Sequence, residues 1–64
     1  MTLYQFYKFL LGKGVCCKYA KFNGIYEPIK RAIYAWSNHG FVLEWAKENG
    51  FAAEIDDFGR VMIH

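Results

Sequence analysis

The stretch VCCKYAKFNGIYEPIKRAIYAW, residues 15–36, decides the fold, because it reads either as helices or as strands. As a helix, residues 15–26 turn Val15, Tyr19 and Phe22 inward and leave Lys18 and Lys21 on one solvated face, with Asn23-Gly24 as a C-cap. As a hairpin, the same Asn23-Gly24 is the strongest short turn dipeptide. We take the helix, since it gives both lysines to water together. Pro28 then suits the first turn of a central helix over 28–38, where its missing amide is not needed, and Ile29, Ala32, Ile33 and Trp36 fall at i, i+3, i+4 and i+7.

Before this stretch, TLYQ (residues 2–5) is a capping box: Thr2 caps the amide of Gln5 while the Gln5 side chain reaches back, so a helix starts at Leu3. Leu3, Phe6, Tyr7 and Leu10 line one face of it, and GKG (12–14) stops it. Tyr4, Phe9 and Leu11 lie off that stripe and are expected at the surface. After the stretch, SNHG (37–40) makes a tight turn into a further helix, FVLEWAKEN (41–49), closed by Asn49-Gly50. Trp36 and Trp45, at the two ends of this turn, are expected in the core.

The tail, AEIDDFGRVMI (53–63), has the clearest local pattern. Gly59 sits where a three-residue loop needs a left-handed residue, which pairs Asp56 with Arg60 and Ile55 with Val61. Ala53, Ile55, Val61 and Ile63 then share one side, with Glu54, Arg60, Met62 and His64 on the other. The expected fold is α+β: one domain over residues 1–64, with three or four short helices and a C-terminal two-stranded antiparallel β-hairpin packed on them.

At 64 residues the core is small, whereas aromatics make up 20% of the chain, so rings are expected at the surface. Charge is split. Met1 to Ala32 holds Lys8, Lys13, Lys18, Lys21, Lys30 and Arg31 against Glu27, while the remainder holds Lys47 and Arg60 against Glu44, Glu48, Glu54, Asp56 and Asp57. Opposed halves, surplus rings and a two-stranded sheet together predict a symmetric homodimer.

Chemistry-bearing residues yield no reaction. Cys16 and Cys17 are adjacent, which suits neither a disulfide nor the ligand spacing of zinc, so they are read as free thiols and no metal or cofactor is expected. Cys17 beside Lys13, Lys18 and Lys21, with His39 as base, is the one conceivable nucleophile, but no nucleophile motif surrounds it. Asp56 and Asp57 are turn residues. With free thiols, no leader-like start and no long apolar run, the expectation is a cytoplasmic protein without a membrane span.

The order helix, helix, helix-turn-helix, hairpin resembles a winged helix, which would place residues 41–49 in the major groove. Glu44 and Glu48 on that helix and Asp56-Asp57 at the wing tip would then face phosphates, which argues against DNA reading. Phe9, Leu10, Gly14, Val15, Tyr19 and Phe22, followed by Ala32 or Ala35 with Trp36 and then Trp45, are similar to a pattern in short phage- and prophage-encoded proteins of unknown function. That resemblance implies a phage setting without naming an activity; compact phage proteins of this size commonly inhibit host enzymes or defence complexes by binding them. The expected function is therefore a non-enzymatic protein-binding module, with Tyr4, Phe9, Leu11, Lys18 and Lys21 as contacts and a free strand edge at 51–56 or 60–64. The partner is a host protein or a second copy. A nucleic-acid-binding regulator, carried by the lysines and rings of KYAKF (18–22), is the alternative.

Overall fold

Thr2 accepts from the Gln5 amide at 3.1 Å and its own amide donates to Gln5 Oε1 at 2.8 Å, so the capping box forms and starts helix α1 (Leu3–Gly12). Phe6 and Leu10 point from α1 into the core, flanked by half-buried Leu3 and Tyr7. The computed structural model describes Met1–Phe22, Lys30–Ser37 and His39–His64. Residues 23–29 and 38, and the side chains of Lys21, Phe22, Lys30 and His39, lie outside that description.

The deciding stretch is strand, not helix. Cys17–Phe22 forms β1 and Lys30–Ala35 forms β2, paired antiparallel from Cys17↔Ala35 to Phe22↔Lys30. Strands at 17–22 and 30–35 replace the two expected helices, and β1 pairs with 30–35 rather than with the residues just after Asn23-Gly24 that a hairpin within 15–26 would use; Asn23-Gly24 and Pro28 themselves lie outside the described residues. Two physical reasons account for the difference. Lys18 is exposed on the strand as it would be on a helix, so its solvation does not select the helix. The spacing of Ala32 and Ile33 looks helical because both are buried, but Ala32 lies outside the main core cluster while Ile33 is in it. Ala32 is thus buried on the face away from the helices and Ile33 on the face towards them, so burial does not alternate along this inner strand.

Helix α2 (His39–Glu48) follows, then β3 (Ala53–Ile55) and β4 (Val61–Ile63). The hairpin forms in the expected register, with Ile55↔Val61, Ala53↔Ile63 and an Asp56 amide to Arg60 carbonyl bond of 2.8 Å, and Gly59 takes φ of 78° in the turn. Among the described residues the fold is therefore α+β with two helices and one four-stranded antiparallel sheet, in the order β1-β2-β4-β3. The C-terminal hairpin is half of that sheet rather than an isolated ribbon. Both helices cover one face of it: Phe6, Leu10, Val42 and Ala46 pack with Ile33, Ala35, Val61 and Ile63. Winged-helix order is absent from the described residues, because α2 is preceded by a strand.

The chain folds as two copies of one unit, helix then hairpin. Residues 36 apart play the same part in α1 with its exit and in α2 with its exit. Lys13 donates to Phe9 and Leu10, as Asn49 does to Trp45 and Ala46; Gly14 donates to Leu11, as Gly50 does to Lys47; Val15 donates to Leu10, as Phe51 does to Ala46. Gly14 and Gly50 have φ of 77° and 80°. The hairpins match too: Cys17↔Ala35, Lys18↔Tyr34 and Tyr19↔Ile33 correspond to Ala53↔Ile63, Glu54↔Met62 and Ile55↔Val61. Between the halves, β2 pairs β4 with Ile33↔Ile63, Tyr34↔Met62 and Ala35↔Val61, a pattern that exchanges into itself about the Tyr34/Met62 pair. A pseudo-two-fold axis therefore runs through the sheet between β2 and β4. Phe9 and Trp45, equivalent positions, meet edge to face at 5.6 Å where the two helices adjoin.

Candidate protein-contact surface

Three tyrosines form one contiguous group on the β1 side of α1. Tyr4 and Tyr7 stand a turn apart with centroids 6.1 Å from each other, and both rest on Tyr19 of β1 at 5.6 Å. Cations border the group. The Lys8 ammonium lies 5.6 Å over the Tyr4 ring, and Arg31 of β2 both stacks over Tyr19 at 5.8 Å and donates from Nη1 to its hydroxyl at 3.2 Å. Tyr4 is 50% exposed and Leu11, two turns along the same shoulder of α1, is 42% exposed. Beside this shoulder β1 is an outer strand of the sheet, so among the described residues one side of its backbone has no strand partner.

Of the residues expected at a contact surface, Tyr4, Leu11 and Lys18 are exposed, and the Lys21 side chain lies outside the described residues. Tyr4 and Leu11 share the tyrosine shoulder; Lys18 stands opposite Tyr34 on the sheet face that the helices leave uncovered. Phe9 differs from expectation. It is half-buried, stacked on Phe6 at 5.7 Å and against Trp45, because α2 lies along that flank of α1. The sequence of α1 alone carries no sign of a neighbour there. Tyr7, Tyr19 and Arg31 were missed because the helix reading of 15–36 could not bring β1 and β2 beneath α1.

The two tryptophans part company: Trp45 packs partly against the core, whereas Trp36 is 47% exposed at the end of β2. Of the two expected strand edges, β3 is an outer strand, but β4 is hydrogen-bonded on both sides and offers none. The uncovered face carries Glu54, Met62 and His64 as expected, with His64 Nε2 3.9 Å from Glu54 and the Arg60 guanidinium 4.5 Å over the Tyr34 ring.

Cys16 is exposed and Cys17 half-buried, and both are free thiols. Burial, then the neighbouring Cys16, pushes the Cys17 thiol up, the opposite of what an activated nucleophile needs. No three of His, Cys, Asp and Glu among the described residues stand close enough to hold a metal ion, and no described helix is long and apolar enough to cross a membrane. Asp56 acts in its turn: Oδ1 accepts from the Phe58 and Arg60 amides at 3.0 and 2.9 Å, and Oδ2 pairs with Arg60 Nε at 2.7 Å. Desolvation works to raise its pKa, but the Arg60 amide, the Arg60 guanidinium and the Phe58 amide outweigh it and hold the carboxyl below its usual value. No protein-family model, curated protein or solved structure matches the chain.

Proposed function

We propose that the chain is a non-enzymatic protein-binding module that, in a phage or mobile-element setting, binds a host protein or defence complex and modulates it from the cytoplasm. The observation that carries this reading is the tyrosine shoulder beside the free edge of β1. Tyrosines bring large contact area with few rotatable bonds, and their hydroxyls tolerate water until a partner arrives. Lys8 and Arg31 on that shoulder favour a partner segment rich in Asp and Glu, and the open edge of β1 can take such a segment as an added strand.

The test is affinity capture from nuclease-treated bacterial lysate, wild type against Tyr4→Ala. A retained partner that Tyr4→Ala weakens by about 1–3 kcal/mol supports the reading. The nucleic-acid alternative draws on Arg60 over Tyr34 with Lys18 opposite, a charge-and-ring pairing on the uncovered sheet face. Retention of DNA or RNA at physiological salt, falling steeply as salt rises and abolished by charge reversal at Lys18 but not by Tyr4→Ala, would replace the protein-binding reading with that one.

A further inference from the structure

The outer face of the helix pair is apolar along its middle and oppositely charged on its two crests. Phe41 is 62% exposed and stacks on Trp45 at 5.9 Å, and Trp45 in turn meets Phe9, so a line of rings follows the junction between α1 and α2. With Phe6 and Leu10 buried beneath α1, the helical repeat puts Lys8 on its outer crest; with Val42 and Ala46 buried beneath α2, it puts Glu44 on that one. Lys8 and Glu44 are 36 residues apart and so occupy equivalent places about the pseudo-two-fold. Lys13 at the end of α1 and Glu48 at the end of α2 extend the contrast, with Lys47 alone against it.

We propose that this face is a self-association surface, occupied by a second copy turned so that α1 of each copy lies on α2 of the other. The face is its own complement in that arrangement. A two-fold axis parallel to the helices sets Lys8 of each chain beside Glu44 of the other, twice, with Phe41 and Trp45 of both copies enclosed between them. The alternative axis, across the helices, stacks α1 on α1 and brings lysine to lysine and glutamate to glutamate, which like-charge repulsion disfavours. The pseudo-two-fold makes the two backbones interchangeable, so side chains choose between the two arrangements, the Lys8 and Glu44 charges above all.

Ten residues of helix rise about 15 Å, so a face two helices wide buries less than the roughly 800 Å² per partner of a standard interface. Association is accordingly weak and belongs to micromolar concentrations or above. This face shares Lys8 with the tyrosine shoulder, whereas Glu44 belongs to the helix-pair face and Tyr4 to the shoulder, so Glu44→Lys and Tyr4→Ala tell the two apart: a chain that stays monomeric yet holds its target removes the dimer and leaves the proposed function standing.

Sedimentation equilibrium of the full chain from about 20 µM to 1 mM, a range set to bracket contacts of this strength, is the experiment. Wild type shows a reversible monomer–dimer equilibrium. Lys8→Glu and Glu44→Lys, each confirmed folded by circular dichroism, raise the dimer dissociation constant about tenfold or more, consistent with two like-charge contacts per dimer. Combining them in one chain restores association, as does mixing the two single variants in equal amounts, which also covers the case of the double variant failing to fold. Wild type that remains monomeric at 1 mM, single variants that dimerise as wild type does, or a combination and a mixture that both stay dissociated would each overturn the proposal.

Discussion

The first half of the chain and the second share a backbone plan and almost nothing on their surfaces. Both run helix, left-handed glycine, outer strand, inner strand, with matching hydrogen bonds at the helix exits. Yet Tyr19 of β1 lies under Tyr4 and Tyr7, whereas its counterpart Ile55 is left exposed, and the basic side chains Lys8 and Lys18 correspond to Glu44 and Glu54. The plan depends on a few positions: a residue buried beneath each helix, a glycine after it, and apolar residues on the inner strands. Everything outside that set is free to serve contact, and the halves have used the freedom in opposite directions.

Breaking the comparison starts at the core. Phe6 and Val42 are equivalent and both fully buried, but Phe6 also stacks on Phe51 at 5.1 Å, so the halves carry unequal loads. Phe6→Ala is expected to cost about 3–5 kcal/mol, enough to unfold much of so small a domain. Val42→Ala loses two methyl groups and about 1.5–2 kcal/mol. Urea denaturation compares them, and equal losses would mean that the core is not weighted towards the first half.

A smaller effect is expected at the paired glycines. Nothing lies within 4 Å of a Cβ built on Gly14 or Gly50, so alanine there meets only the strain of its positive φ. That strain is about 1–2 kcal/mol and is partly offset by the lower entropy of the unfolded chain, which leaves a net cost near 1 kcal/mol at each position. The same cost at both would sharpen the two-fold plan; a cost at one alone would break it.

The turn of the second half is stabilised by an ionised group. Because the folded pKa of Asp56 is lowered, its contribution is present above the unfolded value of about 4 and is lost as pH falls through the folded one. Asp56→Asn therefore melts below wild type at neutral pH, and the gap closes on acidification. A gap that persists unchanged at low pH would assign the effect to something other than the carboxylate. The smallest change is expected at exposed Cys16, where replacement by serine should alter stability by no more than about 0.5 kcal/mol. A loss of several kcal/mol in thermal melts would show the thiol to be structural.

Signals confined to a few consecutive residues are legible in the sequence. Thr2 with Gln5, the glycines after each helix, and Gly59 in the tail each specify local hydrogen bonds or a backbone conformation that the neighbours can satisfy by themselves. Tyr4 and Leu11 are legible as surface residues because they fall off the apolar stripe of α1. Phe9 is not, since its cover comes from Trp45, which is 36 residues away along the chain.

By itself, then, the sequence determined the two capped helices, the C-terminal hairpin with its register, and the division of charge, because these depend on near neighbours or on composition. Tertiary structure alone decided that residues 17–22 and 30–35 are strands. Their apolar spacing suits either form, and what selects the strand is the inner position of β2, hydrogen-bonded to β1 on one side and to β4 on the other. A segment flanked by partners on both edges satisfies its amides and carbonyls through the sheet, and those partners are near in space but distant along the chain.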